Sequence, residues 1–225
     1  FKPGATFVPR DGEVVAFHFA DTAGRIPGYA YNVPRDRFDA TLLAACRRSG
    51  ARVVRQAARL VRDRDDADRV LLAGESAAAA HDALGAPPDW IVDATGRAAA
   101  IPRLLGLPAE AGDRRDAALF AHCEGVPLDS PGHVHMDHLA RGWCWRIPVG
   151  EGRVSLGLVV PAEVAGAFGR DAEAQFEGLC AADPRLKQLM ARGRRVSEVA
   201  RYGNYQRTFR RGVGANWALV GDAFG

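Results

Sequence analysis

Residues 91–97 read Ile-Val-Asp-Ala-Thr-Gly-Arg, and after Trp90 they predict a short buried strand that runs into a small turn containing a glycine. Open α/β sheets bind their ligands at the carboxyl ends of strands, and glycine lets the backbone pass close to a ligand. Thr95 and Gly96 are therefore candidate ligand contacts. An ordinary turn between a strand and a helix has the same composition, so this stretch alone leaves both interpretations open.

A second stretch of this kind lies at residues 219–223, which read Leu-Val-Gly-Asp-Ala. Gly221 allows close passage of the backbone, and the carboxylate of Asp222 can accept hydrogen bonds from sugar-like hydroxyl groups. Taken alone, this stretch is also consistent with a purely structural turn. The order and separation of the two stretches are more specific than either one.

The remaining pattern predicts an α/β fold with α+β character. Asp11-Gly12 between apolar runs predicts a hairpin, and an apolar stripe from Phe38 predicts a helix over residues 34–50. Strands are predicted at 29–33, 53–54, 60–61, 117–123, 133–139, 142–148 and 154–160. This interleaved order predicts two domains. One comprises residues 30–110 and 213–225, and the other, a mixed antiparallel sheet with helices, comprises residues 1–29 and 111–212.

Composition limits the classes of function. The chain has 225 residues and a net charge of +3, which is too small and too scattered for a nucleic-acid surface. The four cysteines form no C-x-x-C pair, which predicts a reducing, cytoplasmic setting. No apolar run has the length of about 20 residues that a membrane span needs. Lysine occurs only at Lys2 and Lys187, so few amines are available for chemistry.

Three histidines, His133, His135 and His138, invite a metal-site interpretation. On a strand, His133 and His135 share one face and His138 points the other way, and we place Asp137 on the opposite face as well. No carboxylate pair then completes a ligand set, and the sequence predicts no metal.

The most informative heptapeptide is Gly-Trp-Cys-Trp-Arg-Ile-Pro at residues 142–148. On a strand, Trp143, Trp145 and Ile147 project to one face and the intervening residues to the other, and Pro148 stops the strand. Three large apolar groups on one face are consistent with a core strand. The alternative is an aromatic wall beside a ligand.

The pattern W-x-W-x-I-P over residues 143–148 resembles the signature of flavin-dependent halogenases. Residues 152–157 fit the G-R-x-S-x-G strand that follows it in that family, and the turn at 202–205 and Gly221-Asp222 come in the expected order. The resemblance covers nearly the whole chain. It implies an FAD-binding Rossmann-like domain interleaved with an antiparallel-sheet substrate domain. The family's G-x-G-x-x-G opening has no match, so we expect an internal fragment of a longer enzyme.

The resemblance also implies roles for individual residues. The turn at Thr95 and Gly96 would lie near the dinucleotide, and Gly221 and Asp222 would contact the ribityl chain of FAD. Arg35, in a segment that fits the family's R-x-x-x-D-x-x-L helix opening, would lie near the pyrophosphate or the ring edge, although a surface arginine is the plain alternative. Leu60 would mark the backbone that passes the adenine. Trp143, Trp145, Ile147 and Pro148 would separate flavin from substrate.

Lys2 is the predicted catalytic residue, because Lys-Pro-Gly-Ala at residues 2–5 resembles the family's K-x-G-A strand. In such enzymes reduced FAD, supplied by a separate flavin reductase, forms a hydroperoxide that halide converts to hypohalous acid. A partly desolvated lysine then orients this oxidant toward an electron-rich aromatic or pyrrolic substrate, free or tethered to a carrier. A frayed terminal lysine is the alternative. Val8-Pro9-Arg10 stands where many relatives carry a tryptophan.

Two other functions fit the same residues. One is an FAD-dependent hydroxylase or a reductase of prenyl double bonds with the same fold. The other is a non-catalytic scaffold that keeps only the substrate side. A hydroxylated product would favour the former, and absence of flavin absorbance would favour the latter.

Overall fold

The computed structural model describes residues 1–22, 24, 27–203 and 206–225. The strands are β1 (Gly4–Val8), β2 (Val15–His18), β3 (Leu60–Arg62), β4 (Val70–Leu72), β5 (Ile91–Asp93), β6 (Ala109–Ala111), β7 (Asp116–Glu124), β8 (Val134–Leu139), β9 (Gly142–Gly150), β10 (Arg153–Pro161), β11 (Arg194–Arg195), β12 (Ala200–Gly203), β13 (Arg207–Phe209) and β14 (Trp217–Leu219). The helices are α1 (Arg35–Arg48), α2 (Glu75–Leu84), α3 (Ala100–Leu105), α4 (Ala162–Gly166), α5 (Ala172–Ala182) and α6 (Pro184–Met190).

The chain divides into two compact units. The large-sheet unit comprises Phe1–Ala40 and Arg114–Asn204, and the small-sheet unit comprises Thr41–Asp113 and Tyr205–Gly225. The presence of both a large mixed sheet and small sheets confirms the predicted α/β class with α+β character. The assignment of residues 30–110 with 213–225 to cofactor, and of 1–29 with 111–212 to substrate, stays a prediction, because it concerns function.

The sheet of the large-sheet unit has the strand order β11-β7-β10-β9-β8-β1-β2, and β12 also pairs with β7. β1 runs parallel to β8, whereas the other neighbours are antiparallel. Strict alternation in β7 buries one side chain in two, and β10 alternates in the same way except at Gly157, which is buried between Leu156 and Leu158. The buried side chains form a core with helices α4–α6, so this face of the sheet is the covered one.

Local sequence explains the turns of this sheet. The predicted hairpin at Asp11-Gly12 is present, with Gly4 opposite His18 and Phe7 opposite Val15. β9 and β10 meet at Gly150-Glu151-Gly152, where all three residues have positive φ. β9 continues through Pro148 to Gly150, so the prediction that Pro148 stops the strand is wrong. A register irregularity between Arg153 and Val154 accommodates the proline, which cannot donate to a regular ladder.

The helix predicted at 34–50 is α1, and Gly50 follows it with a φ of +90°. Two predicted strands are wrong. Residues 29–33 contribute only an isolated bridge between Ala30 and Lys2, and residues 53–54 form no strand. Val53 and Val54 favour a strand by their β-propensity, but they pair with no other strand in the described chain. Their side chains are 38% and 52% exposed.

The small-sheet unit contains three pairs of strands. β5 and β14 are parallel, and β3–β4 and β6–β13 are antiparallel. Six buried residues form its core, namely Val70, Ala99, Ile101, Phe209, Trp217 and Leu219. In the part of the chain that the structure describes, no helix is both long enough and apolar enough to cross a bilayer.

Candidate functional site

The two glycine-containing stretches are neighbours in the small-sheet unit. Leu219 of β14 lies opposite Asp93 of β5, and the Val220 amide donates to the Asp93 carbonyl at 3.0 Å. The short 3-10 turns that follow, Gly96–Ala98 and Gly221–Ala223, lie against each other. The structure therefore brings Thr95 and Gly96 together with Gly221 and Asp222, at the carboxyl ends of adjacent parallel strands.

Both glycines of this edge, Gly96 and Gly221, need the conformational freedom of glycine. Their φ values are +60° and +59°, in the left-handed region that side chains disfavour. A Cβ at either position would meet nothing within 4 Å, so the space above both turns is open. Asp222 is exposed at the same edge. A bare backbone with an exposed carboxylate fits a ligand that carries hydroxyl groups, as the sugar-like part of FAD does.

Asp93 fixes the conformation of the first of these turns, although no role was predicted for it from the sequence. Its side chain is buried, and Oδ1 accepts hydrogen bonds from the Thr95 amide at 2.9 Å and the Thr95 hydroxyl at 2.6 Å. Oδ2 accepts from the Ile101 amide at 2.7 Å, which ties the turn to α3. The Thr95 hydroxyl is thus occupied within the turn. An aspartate two residues before a threonine at a strand end was the available signal.

Leu60 and Arg35 have ordinary structural environments. Leu60 of β3 is half-buried and packs against the core of the small-sheet unit. Arg35, the first residue of α1, is exposed and donates through Nε and Nη2 to Asp39, both at 3.2 Å. The hydrogen bond and the charge of Asp39 raise the pKa of Arg35. The cofactor roles of both residues stay predictions.

The strand β9 presents the tryptophans on the face opposite the core. Cys144 and Arg146 are fully buried, whereas Trp143, Trp145 and Ile147 are only half-buried. The alternation is as predicted, but the interpretation of the tryptophans as a core strand is wrong. A charged arginine occupies the core side, and the indoles belong to the less covered face of the sheet.

Trp145 lies at the centre of a group of aromatic rings on this face. The centroid of its indole is 5.9 Å from those of Trp143 and Phe120, and Phe120 stacks on Tyr202 with centroids 5.7 Å apart. Phe120 was not predicted from the sequence, because its position next to Trp145 depends on strand pairing. Tyr202 falls in the turn predicted at 202–205, but Asn204 and Tyr205 lie outside the described residues.

Lys2 is anchored by its backbone. Its amide donates to the Ala30 carbonyl at 2.7 Å, and the Ala30 amide donates to the Lys2 carbonyl at 2.8 Å. The alternative of a frayed terminal lysine is therefore wrong. The side chain is half-buried, and Nζ lies 5.5 Å from the centroid of the Phe19 ring, within cation–π range.

Gly4 explains the glycine in the K-x-G-A segment. A Cβ there would lie 2.0 Å from the Phe17 carbonyl oxygen and 3.0 Å from the His133 ring, so only glycine lets β2 and His133 approach. β1 is separated from β9 by β8 alone. Through these pairings Phe7 lies level with Trp145, which places Lys2 about 17 Å further along the strand direction.

Two of the three histidines, His133 and His135, are buried, and each takes part in a hydrogen bond within the large-sheet unit. His133 is buried, with Nδ1 2.9 Å from the Thr6 hydroxyl and Nε2 3.4 Å from Nδ1 of His18. Burial, followed by the neighbouring His18, lowers the pKa of His133, and burial also lowers that of His135. Within the described ranges, no group of three or more His, Cys, Asp or Glu side chains has the arrangement of a metal site.

Asp137 lies on the same buried face as His133 and His135, because alternate residues of a strand share a face; placing it on the opposite face was wrong. Its Oδ2 accepts from Nε of Arg146 at 2.8 Å, and its Oδ1 accepts from Nε of Arg185 at 2.8 Å. Asp137 therefore links β9, which carries the tryptophans, to α6.

Comparison with known proteins agrees with this geometry. A chain that has glycine turns after paired parallel strands in one unit, and a large mixed sheet that presents two tryptophans in the other, has the fold of an FAD-dependent oxidoreductase. The tryptophan halogenase family model matches residues 16–224, and the chain belongs to this family. The resemblance to flavin-dependent halogenases is thereby confirmed.

Solved structures show the same fold. The flavin-dependent halogenase CmlS is 25% identical with a TM-score of 0.77, over 99% of this chain and 41% of that chain. The myxobacterial chondrochloren halogenase CndH is 26% identical with a TM-score of 0.78, over 99% and 53%. The flavin-dependent brominase Bmp2, at 19% identity and a TM-score of 0.77 over 99% and 55%, shares the fold. The chain spans about half the length of these proteins.

Proposed function

We propose that the protein carrying this chain is an FAD-dependent halogenase of electron-rich aromatic or pyrrolic compounds. The observation that carries the proposal is the large sheet itself. Lys2 of the K-x-G-A segment is anchored just before strand β1 of this sheet, and the tryptophans of the W-x-W-x-I-P segment lie outside the core on β9, two strands away from β1. Membership of the tryptophan halogenase family supports the same reaction class.

The residues that would hold FAD are those at the carboxyl edge of β5 and β14. Thr95 and Gly96 would line the dinucleotide, and Gly221 and Asp222 would contact the ribityl hydroxyl groups. Arg35 and Leu60 complete the proposed set near the pyrophosphate and the adenine. When bound, FAD supplies the oxidising equivalents from dioxygen. A separate flavin reductase is the proposed source of its electrons.

Trp143, Trp145, Ile147 and Pro148 would form the barrier between cofactor and substrate. Bulky apolar side chains exclude water and keep a ring-sized substrate from direct oxygen transfer, whereas halide and hypohalous acid are small enough to pass. The separation of about 17 Å along the strands between the level of Trp145 and Lys2 favours such a diffusing oxidant.

Lys2 would receive and orient hypohalous acid. Its amine donates hydrogen bonds but, when protonated, accepts none, so it binds the oxidant through oxygen and leaves the halogen facing the substrate. The ring forms a carbon–halogen bond as the oxygen–halogen bond breaks, and the departing hydroxide takes a proton. Loss of the ring proton restores aromaticity, so substrate and hypohalous acid yield halogenated product and water.

The proposed partners are halide, the flavin reductase and an aromatic or pyrrolic substrate, free or tethered to a carrier. A cytoplasmic setting is proposed on the cysteines, which are all free thiols in the structure. Burial raises the pKa of Cys123 to about 11 and that of Cys180 to about 12, so little of the nucleophilic thiolate forms at neutral pH.

Substitution of Lys2 tests the proposal directly, and the other lysine of the chain, Lys187, provides a matched control. Lys2→Ala is expected to reduce halogenated product at least about 100-fold while flavin absorbance and FAD-dependent oxygen consumption persist. Lys187→Ala, which removes an exposed lysine on α6, is expected to leave product formation unchanged. Product is measured by mass spectrometry with chloride and with bromide.

Three outcomes would contradict the proposal. Full activity of the Lys2→Ala variant would show that Lys2 is not the catalytic residue. A hydroxylated product without halogen would indicate a monooxygenase of the same fold. A purified protein without flavin absorbance would indicate a scaffold rather than an enzyme.

A further inference from the structure

The indole of Trp145 is held by the neighbouring strand β10. Gly157 lies directly opposite Trp145 in the pairing of β9 with β10. A Cβ built on Gly157 would lie 1.9 Å from Cζ2 and 2.0 Å from Cε2 of the indole, so the ring rests on the bare backbone. No positive φ requires glycine at this position. Space for the indole is therefore the reason for the residue.

Ser155 fixes the direction of the same ring. It lies opposite Ile147 rather than Trp145, and its Oγ accepts a hydrogen bond from the indole Nε1 at 3.2 Å. Contact with Gly157 prevents the ring from moving toward β10, and the diagonal hydrogen bond to Ser155 limits its rotation within the plane of the sheet. The indole is thus directed along the strand toward Ile147, which is the direction in which Lys2 lies.

Neighbouring rings limit movement in the remaining direction. Trp143 and Phe120 lie on two sides of Trp145 at 5.9 Å, and Phe120 is itself stacked on Tyr202 with an interplanar angle of 11°. Trp145 is only half-buried, so its orientation depends on these contacts and not on a surrounding core. Loss of either β10 contact should therefore change the orientation without emptying the core.

We propose that Ser155 and Gly157 are positioning residues that set the orientation of Trp145, and through it the coupling of cofactor oxidation to halogenation. The coupling part rests on the proposed function. When the indole closes the barrier, the two electrons of reduced FAD, dioxygen, halide and three protons would give hypohalous acid and water. When it does not, water reaches the cofactor, and the two electrons and two protons leave with dioxygen as hydrogen peroxide.

These contacts explain why the segment that resembles G-R-x-S-x-G contains a serine and a final glycine. Its serine and its last glycine are the two residues that contact Trp145, on the strand that pairs with the W-x-W-x-I-P strand. The two segments then act as one unit, because the first supplies the ring and the second holds it. Arg153, by contrast, pairs with Glu151 at the exposed end of the hairpin and has no contact with the indole in the structure described.

The test uses Ser155→Ala and Gly157→Ala, with Ser155→Thr as the conservative variant that keeps the hydroxyl. Gly166→Ala is the control, since a Cβ there meets nothing within 4 Å. Near-ultraviolet circular dichroism and acrylamide quenching report the indole, with Trp145→Phe as the reference that lacks its signal. Both alanine variants are expected to change the Trp145 contribution, and Ser155→Thr and Gly166→Ala are expected to preserve it.

The second measurement is the ratio of hydrogen peroxide to halogenated product per FAD oxidised. Ser155→Ala is expected to raise this ratio about fivefold, from loss of one hydrogen bond, and Gly157→Ala more. Flavin absorbance and melting temperature should stay close to wild type in Ser155→Ala. If Ser155 had only a structural role, coupling would change only together with stability or flavin binding. Ser155→Thr should restore the wild-type ratio.

The outcomes separate this inference from the proposed function. Unchanged Trp145 spectra in both alanine variants would refute the positioning role, and changed spectra with unchanged coupling would refute its consequence. A wild-type protein that gives no halogenated product, while the spectra change as expected, would refute the proposed function and leave the positioning of Trp145 established.

Discussion

At the residue scale, β9 places two kinds of chemistry on opposite faces of one strand. The indoles lie on one face, and Arg146, which is fully buried, lies on the other with Asp137. The guanidinium donates from Nε and Nη2 to the two carboxylate oxygens of Asp137 at 2.8 and 3.0 Å, and also to Asp129 and to the Pro127 carbonyl. Such a pair fixes register, since any shift of the strand would leave a buried charge unpaired.

Arg146→Met should lower the free energy of unfolding by about 3–5 kcal/mol, because it leaves the buried carboxylate of Asp137 with Arg185 alone. Arg153→Met removes an exposed arginine on the next strand and should cost less than about 1 kcal/mol. Urea titration of both variants checks the difference. Equal losses of unfolding free energy in the two variants would show that the burial of Arg146 and its pair with Asp137 add nothing to stability.

The buried histidines predict a pH dependence with a definite sign. The pKa values of His133 and His135 are lowered mainly by burial, so the folded protein favours neutral imidazoles. As pH falls below about 6.5, the unfolded chain takes up protons first and stability declines, until the folded-state pKa values are reached. His133→Gln should flatten the slope of unfolding free energy between pH 7.5 and 5.5.

At the element scale, α6 is tied to the sheet by its first residues. Asp183 caps the helix, since Oδ1 accepts from the amides of Arg185 at 2.9 Å and Leu186 at 3.2 Å. Its other oxygen accepts from the Ala140 amide at 2.8 Å, in the turn between β8 and β9. One side chain therefore starts a helix and restrains the hairpin that carries the tryptophans.

Asp183→Ala should destabilise the protein by about 2 kcal/mol, of which loss of the cap accounts for about 1 kcal/mol. Asp171→Ala is the matched control. Asp171 caps α5 through the Ala174 amide, and its side chain makes no contact with the sheet in the described structure, so only the capping cost of about 1 kcal/mol is expected. Chemical denaturation compares the two, and identical losses would disprove the link through Ala140.

Elements with a strict period were predictable from sequence, and those that depend on a partner were not. β7 alternates strictly between buried and half-buried positions, β10 does so except at Gly157, and Gly50 follows the end of α1 as expected. Val53 and Val54 show that β-branched residues without a ladder partner form no strand. The same distinction applies to the residues of the candidate site. Gly96 and Gly221 were recognisable from their local sequence, whereas Phe120 beside Trp145 follows only from the register of β9, β10 and β7.

At the scale of the whole molecule, the small-sheet unit joins segments that are distant in the chain. Asn216 makes the junction. Its side-chain oxygen accepts from the Val70 amide at 2.9 Å, its side-chain amide donates to the Val70 carbonyl at 2.8 Å, and its own carbonyl accepts from the Ile91 amide at 2.9 Å. One buried residue thus connects β4 to β5 and to the start of β14. The turns at Gly96 and Gly221 depend on that connection, because they follow β5 and β14.

Asn216→Leu should therefore affect stability and cofactor together. Removing the side-chain amide leaves the buried amide and carbonyl of Val70 unpaired, at a cost of about 2–4 kcal/mol. Hydrogen exchange is expected to accelerate at the amides of Val70, Ile91 and Val220, and FAD affinity to fall in the same variant. Asn32→Leu is the control, because the side chain of Asn32 donates to the Gly132 carbonyl at 3.1 Å in the large-sheet unit and, among the described residues, makes no bond to β4, β5 or β14. Accelerated exchange with undiminished FAD affinity would show that the edge of β5 and β14 is not where the cofactor binds.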